Sequence, residues 1–433
     1  MGHGEPGRGA RYYIVVRGVR TTTSCVIEVL TTVFLTIASG FCPGFELAAQ
    51  TNTSERAAQT NNTERYEAIA RLFRDTKGRP PTPLLGAEAA WTLTLPLAPA
   101  PAAVMDDDRI YVPLREKQLV ALDRETGRHA WSRLLDVAVP PAAGDGQLFV
   151  QNGRTITALD SATGVDRWSA SLEAAPTAPL AWTAGAVIAL LESGDVLAFR
   201  STDGQLMWRR ALGSTSPYPA VPGGTNALFF SLADGRVVAL AQETGDQLWE
   251  RKLPGTLSQP AVGRDRVFIG STDNVFYALD AKRGDEAWKW RNGGDVIGAA
   301  VDGDVVYFAS LDNILRAVNR GNGNQKWRKA TGTRPVFPPR AFRGIVVLPG
   351  LMPSITVFVG ESGEVMGTQA AAGDLVGPPL VDQAPKPFQV AVVTVTREGV
   401  VEALRPTSLM FREEKTAPIA ALPGRALTRE QIE

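Results

Sequence analysis

Seven tryptophans fall in step along the 433-residue chain, at Trp91, Trp131, Trp168, Trp208, Trp249, Trp288 and Trp327, with intervals of 40, 37, 40, 41, 39 and 39 residues. A further step of 40 lands on Gly367, inside a recognisable copy of the same unit, so the period outlasts its aromatic marker. A period of this length marks a repeat architecture, in which each unit is completed by its neighbours. Eight units fill residues 91–405.

Each unit ends in a hairpin. The best copies are LVALDRETGRHAW ending at Trp131, ITALDSATGVDRW at Trp168, VVALAQETGDQLW at Trp249 and FYALDAKRGDEAW at Trp288. They read as a strand, a Gly-containing turn and a second strand opened by Trp. Gly127, Gly164, Gly204, Gly245, Gly284, Gly323 and Gly363 share one position, four residues before the tryptophan or its substitute. Glycine in every one of these copies predicts φ > 0, as three-residue hairpin loops require. Asp123, Asp160, Asp280 and Asn319 precede the turn, where a short polar side chain caps backbone N–H groups; turn chemistry is preferred to catalysis for them.

Two more strand-like runs lie upstream of each hairpin: an apolar one such as RIYVPL, QLFVQN or VVYFAS, and a Pro-containing stub such as YPAV, QPAV or GPPLV. Four strands in about 40 residues is the size of a propeller blade. The apolar runs alternate little, as expected of blades covered on both faces. Proline in the first strand suits an inner edge bordering a channel. The eighth unit has a third strand at VVEALRP and no Trp strand after it, whereas AAWTLTL has a Trp strand and no blade before it. The two halves predict an all-β, eight-bladed propeller of four-stranded antiparallel blades, its ring closed by the N-terminal Trp strand so that no open sheet edge remains.

The pattern A-L-D-x-x-T-G-x-x-x-W, complete from Ala121 to Trp131 and from Ala158 to Trp168, resembles the tryptophan-docking repeat of the pyrroloquinoline-quinone (PQQ) propellers. The resemblance spans about three quarters of the chain. It implies that each of the seven tryptophans packs between blades against a Gly-containing turn. It is specific for fold and weak for function, because one propeller serves enzymes, scaffolds and sensors. In the quinoprotein dehydrogenase branch, the family pattern includes a vicinal disulfide, metal-ligating carboxylates and amides, a catalytic Asp and long inter-blade insertions. Here the cysteines are Cys25 and Cys42, both ahead of the repeats, and the spacing leaves no room for insertions. Length, blade count and compactness are similar to the second branch, the outer-membrane β-barrel assembly factor BamB and its relatives.

The chain organises into an export signal or anchor at 1–49, a polar linker at 50–86, the propeller at 87–406 and a tail at 407–433 without periodic pattern, expected to be mobile. Arg11, Arg17 and Arg20 precede an apolar run over 26–41, interrupted by Glu28 and followed by small residues, as in a signal peptide. The run is short for a membrane span, which needs ~20 apolar residues; an uncleaved anchor is the alternative. Cys42 invites a lipoprotein reading, against which stands Phe41 where a lipobox has a small residue. In the linker, Tyr66, Ile69, Leu72 and Phe73 share one face of a short amphipathic helix that starts at Asn62 or Thr63 and stops at Gly78. That face docks either on the propeller's own rim or on a partner.

Forty-five basic residues balance forty-five acidic ones, so neither nucleic acid nor an anionic membrane surface is implied as a partner. No catalytic constellation is present: His3 and His129 are the only histidines. No glycine cluster forms a phosphate cradle ahead of a helix. The turns STDG from Ser201 and STDN from Ser271 read as solvated hairpin tips, and Asp106, Asp107 and Asp108 as a solvated loop. The seventh unit is anomalous, with PGLMPS where other blades have polar tips such as ESGD or LADG. Leu351 and Met352 there are expected to be exposed unless covered, and so to contact a partner or the linker helix; simple degeneration of the unit explains them equally well. Together these readings imply an exported, non-catalytic, periplasmic scaffold without cofactor or metal. By resemblance its partner is the barrel-assembly machinery, at the periplasmic domains of its central subunit. The alternatives are a PQQ-dependent dehydrogenase and a ligand-binding or sensing propeller.

Overall fold

The computed structural model describes residues 87–406, apart from 225, 352 and 383–388. The expected export signal, Cys42, the expected linker helix and the C-terminal tail therefore lie outside the described residues. Within them, 32 strands form eight four-stranded antiparallel sheets, one per repeat unit. Seven blades run in sequence order; the first comprises Val104–Met105, Arg109–Leu114, Gln118–Asp123 and His129–Leu134. In the eighth the order is Ala87–Thr94, Val400–Pro406, Val392–Val395, Leu380–Val381. The N-terminal strand thus supplies the outer strand of the last blade, in register from Ala87↔Pro406 to Thr94↔Val400.

Position in the blade sets burial. Second strands such as Ala186–Leu190, Ala227–Ser231 and Ile345–Pro349 are buried along their whole length, because a neighbouring blade covers each face. This accounts for apolar runs without alternation. First strands are short and approach one another from blade to blade, as Ala142–Gly144 does Ala181–Thr183, which places them innermost. Outer strands keep one deep anchor: in Leu206–Ala211, Trp208 is buried and both its neighbours are exposed.

That anchor is the tryptophan, and it binds the turn of the next blade. The seven turn glycines have φ between +68° and +74°. A Cβ built on Gly245 would stand 2.4 Å from Trp208 Cε3, and one on Gly127 2.6 Å from Trp91 Cδ2. The same contact joins Trp131 to Gly164, Trp168 to Gly204, Trp249 to Gly284, Trp288 to Gly323 and Trp327 to Gly363. Glycine is therefore required twice over, for its backbone angle and for the indole lying on it. The turn is longer than expected, with four residues in place of three. In blade 1, Asp123 N–H donates to Arg128 O at 2.8 Å and Gly127 N–H to Asp123 O at 2.9 Å, leaving 124–127 in the loop. The extra residue has a use: each indole Nε1 donates to the carbonyl of the first loop residue, Arg124, Ser161, Ser201, Gln242, Ala281, Arg320 or Gly360, at 2.7–3.0 Å.

Room for the indole is made within its own blade. Ala121, Ala158, Ala198, Ala239, Ala278, Ala317 and Ala403 on the third strands stand opposite the seven tryptophans. In five blades an aromatic of the second strand (Tyr111, Phe149, Phe229, Phe268 or Tyr307) meets the indole at 5.7–5.9 Å between ring centres, tilted by 39–43°. Blade 7 departs from this plan, with Val357 opposite Gly367.

A second link runs inward from the same first loop residue to the inner turn of the preceding blade. Ser201 Oγ meets Asp145 at 3.2 Å, Thr183 Oγ1 meets Gln242 at 3.3 Å, and Arg320 Nη1 meets Asp265 at 3.1 Å. At the junction of blades 8 and 1 the link is strongest. Arg124, only 3% exposed, pairs with Asp382 and donates from Nε to Val390 O at 3.1 Å.

Two outcomes follow for stability. Gly245→Ala is expected to be less stable than Gly213→Ala by about 1–3 kcal/mol in urea denaturation. Both positions have positive φ, +71° and +68°, but a Cβ at Gly213 meets nothing within 4 Å. Arg124→Met is expected to lower stability by about 3 kcal/mol, since it removes a buried countercharge and the donor to the Val390 carbonyl. Ser201→Ala, losing one neutral hydrogen bond, is expected to cost about 1 kcal/mol in the same assay.

Candidate functional site

The polar residues singled out by sequence resolve mainly into structural roles. Asp123, Asp160, Asp280 and Asn319 each accept from the backbone N–H three residues on, at 2.8–3.2 Å. The Arg167 guanidinium, with help from Thr163, pushes the Asp160 carboxyl down to about 2. Asp106 caps its turn by accepting from Arg109 N–H at 2.7 Å and from the Tyr111 hydroxyl at 2.6 Å. Burial, reinforced by that hydrogen bond, pushes the Tyr111 phenol far up. Asp107, Asp108 and His129 are exposed. The serine turns depart from expectation. Ser201 and Ser271 are buried, not solvated, because they open their turns on the inter-blade side; Ser271 Oγ donates to Pro254 O at 2.6 Å.

At the inner rim the half-buried side chains include Val104, Trp182, Val262, Val301, Arg340 and Val381. Trp182 lies outside the 40-residue period and was not singled out by sequence. It covers Gly144 of the preceding blade, where a Cβ would stand 2.1 Å from its Cδ2. Among the described residues, no group of three or more His, Cys, Asp or Glu side chains is placed to hold a metal. The carboxylates nearest the inner turns are engaged: Asp302 accepts from Gly344 N–H at 2.5 Å, and Asp382 is paired with Arg124. This donor set does not fit a metal-bound quinone.

The described residues include two sizeable concave surfaces. One is a cleft of about 570 Å³ on the turn side of blades 4 to 6, lined by Gly223, Val262, Gly263, Arg264, Asp304 and Arg320 among others. The other, about 280 Å³, lies at the opposite ends of blades 7 and 8, between Val336, Phe337, Leu351, Pro353, Leu375 and Arg397. Leu351 is 65% exposed and Val336 41%. Met352 lies outside the described residues.

The local sequence explains the second groove. In six other blades the corresponding tip ends on a residue with positive φ: Lys117, Gly194, Gly235, Asn274, Asn313 or Gly399. Gly194 and Gly235 each return an N–H to the residue three before, at 2.9 Å. Blade 7 has Pro353 in that place, which has neither a free N–H nor access to positive φ. The tip is still anchored through Leu351 N–H to Arg334 O at 2.8 Å. The Leu351 side chain occupies a position filled elsewhere by Arg115, Glu192, Ala233, Thr272, Leu311 or Arg397.

Comparisons with known proteins agree with this geometry. The structure is similar to that of BamB from Moraxella catarrhalis (16% identity, TM-score 0.61, 74% of this chain and 99% of that one). It resembles the computationally designed protein Ika8 as closely (16% identity, TM-score 0.61, 72% and 97% coverage). The quinohemoprotein alcohol dehydrogenase ADHIIG from Pseudomonas putida HK5 matches at 14% identity and TM-score 0.57, covering 76% of this chain and 78% of that one. At these identities the likeness shows the fold alone. A search of curated proteins found no match. The family model described as outer membrane protein assembly factor BamB matches residues 86–219 and 233–400. With a match over most of its length, and a tryptophan-pinned eight-bladed ring beneath it, this chain belongs to the BamB family of PQQ-like propellers.

Proposed function

We propose that this propeller is a non-catalytic, periplasmic scaffold that binds protein partners and plays a BamB-like part in outer-membrane β-barrel assembly. The observation that carries this reading is the family match over 86–219 and 233–400, on a ring whose described residues gather no metal-ligating group. The M. catarrhalis BamB chain is matched over 99% of its length, so the compact ring of the two proteins is the shared unit. Membrane contact, in this reading, is made only through the N-terminal segment, if that segment is uncleaved or lipidated.

The partner surface fits the rim of blades 7 and 8. Exposed Leu351 and Val336 beside a groove supply apolar area that a partner side chain would bury, worth roughly 25 cal/mol per Å². Arg397 at its edge supplies a charged rim of the kind found at non-obligate interfaces. Met352, next in the chain, is assigned to the same surface from sequence. A sensing role is the second reading, favoured by the 570 Å³ cleft, whose size suits a small ligand.

Capture from envelope extracts is expected to recover the central subunit of the barrel-assembly machinery. The double variant Leu351→Asp, Met352→Asp is expected to weaken that recovery at least ~10-fold, as loss of an interface anchor does, with an unchanged melting temperature. Equal recovery by variant and wild type would remove the assigned surface. Dye-linked alcohol oxidation after incubation with PQQ and Ca²⁺ would replace the scaffold reading with an enzymatic one.

A further inference from the structure

Blade 8 is the one blade whose third and outer strands are not joined by a turn, because Val400–Pro406 and Ala87–Thr94 come from opposite ends of the described chain. Among the described residues, the junction of blades 7 and 8 therefore shows no turn glycine, no carbonyl for an indole and no first loop residue to reach inward. Gly367 stands where blade 7 would present its tryptophan. Between the two blades the described residues form an apolar patch of Phe342, Ile345, Val347, Ile355, Val357 and Leu404. The other side of blade 8 is held by the Trp91 hydrogen bond to Arg124 O at 2.9 Å and by the buried Arg124–Asp382 pair.

Polar groups weaken the same junction further. Glu402 is half-buried on the third strand of blade 8, and Gln369 Nε2 of blade 7 reaches it at 3.5 Å, the limit of a hydrogen bond. Burial raises its carboxyl pKa. Arg340 is two residues from Phe342 on the inner strand of blade 7, and so shares the face that Phe342 turns to blade 8. No carboxylate among the described residues pairs with it, and burial lowers its pKa. Desolvated charges without close partners oppose docking.

We propose that the ring is built to open at one place, between blades 7 and 8, with blade 8 staying fastened to blade 1 as it separates from blade 7. Opening uncovers the apolar faces around Val357 and Leu404 while seven tryptophan contacts stay intact.

Single cysteines placed in the full chain, with Cys25→Ser and Cys42→Ser as background, read this directly. Val357 is 4% exposed at the blade 7–8 junction, Leu240 is fully buried between blades 3 and 4, and Leu122 is 1% exposed between blades 8 and 1. Under native conditions a thiol reagent is expected to modify Val357→Cys at least ~10-fold faster than Leu240→Cys or Leu122→Cys, as opening at that junction would dictate. Adding Glu402→Leu is expected to slow the Val357→Cys reaction. Equal rates at the three sites overturn the proposal. Should a cysteine variant fail to fold, hydrogen exchange of the wild-type chain decides: amides of Val392–Val395 and Val400–Pro406 are expected to exchange faster than those of Ala227–Ser231 and Arg236–Ala241, and equal protection overturns the proposal.

Discussion

An indole lying on a glycine of the next blade, with its N–H on that blade's turn carbonyl, is the contact on which the remaining structure depends. It is made seven times with nearly the same geometry, and it ties each outer strand to the one turn that follows in the ring. The third-strand alanine that makes room for it, the second-strand aromatic beneath it and the positive-φ glycine opposite are consequences of one packing problem. Each large side chain buries on the order of 150–250 Å². Energy of this kind is shared between nearest neighbours, so no blade is stable by itself and none can drift in length without losing its anchor.

The same dependence explains the missing tryptophan. A docking indole needs a receiving turn, and the blade assembled from Val400–Pro406 and Ala87–Thr94 shows none among the described residues. Gly367 matches a junction without a described receptor, as it also matches simple degeneration of the seventh unit. Volume removed from one strand returns on the other: Val357 replaces the alanine that faces tryptophan in every other blade. The closing blade is compensated on one side only. Arg124 gives the 8–1 junction a charged, buried link, whereas the 7–8 junction has Glu402 at the limit of hydrogen-bonding distance.

Local rules made much of this legible. The tryptophan period, the glycine angle, the Asp and Asn caps and the pairing of the first strand with the last blade all follow from spacing and backbone conformation, which a sequence records directly. The inward links were not legible. Each uses the side chain of the first loop residue, donating from Ser201, Arg320 or Arg124 and accepting at Gln242, and no pattern marks it, because that residue is Ala281 or Gly360 in other blades and its shared function lies in a backbone carbonyl that any residue supplies. The four-residue length of the turn is not legible either, because the glycine position alone does not count the loop. Ser201 and Ser271 were read as solvated for a related reason: a polar turn sequence does not reveal that its first residue faces the neighbouring blade. Trp182 escaped because its contact with Gly144 belongs to the inner rim, where no period marks it.

How such a ring acquires a function is a question about its edges. A reaction centre at the axis would need converging donors, and the inner strands bring half-buried Val104, Val262, Val301 and Val381 there, with the nearby carboxylates already engaged. A binding surface asks less of the chain: one altered tip on a rigid support is enough. Pro353 supplies the alteration by abolishing the N–H and the backbone angle that close the other tips. The preceding Leu351 projects from a backbone still held by Arg334, so an apolar side chain is displayed without loss of the blade beneath it. The groove lies between blades 7 and 8, so a partner seated across both would bind the closed ring more tightly than the open one and hold that junction shut.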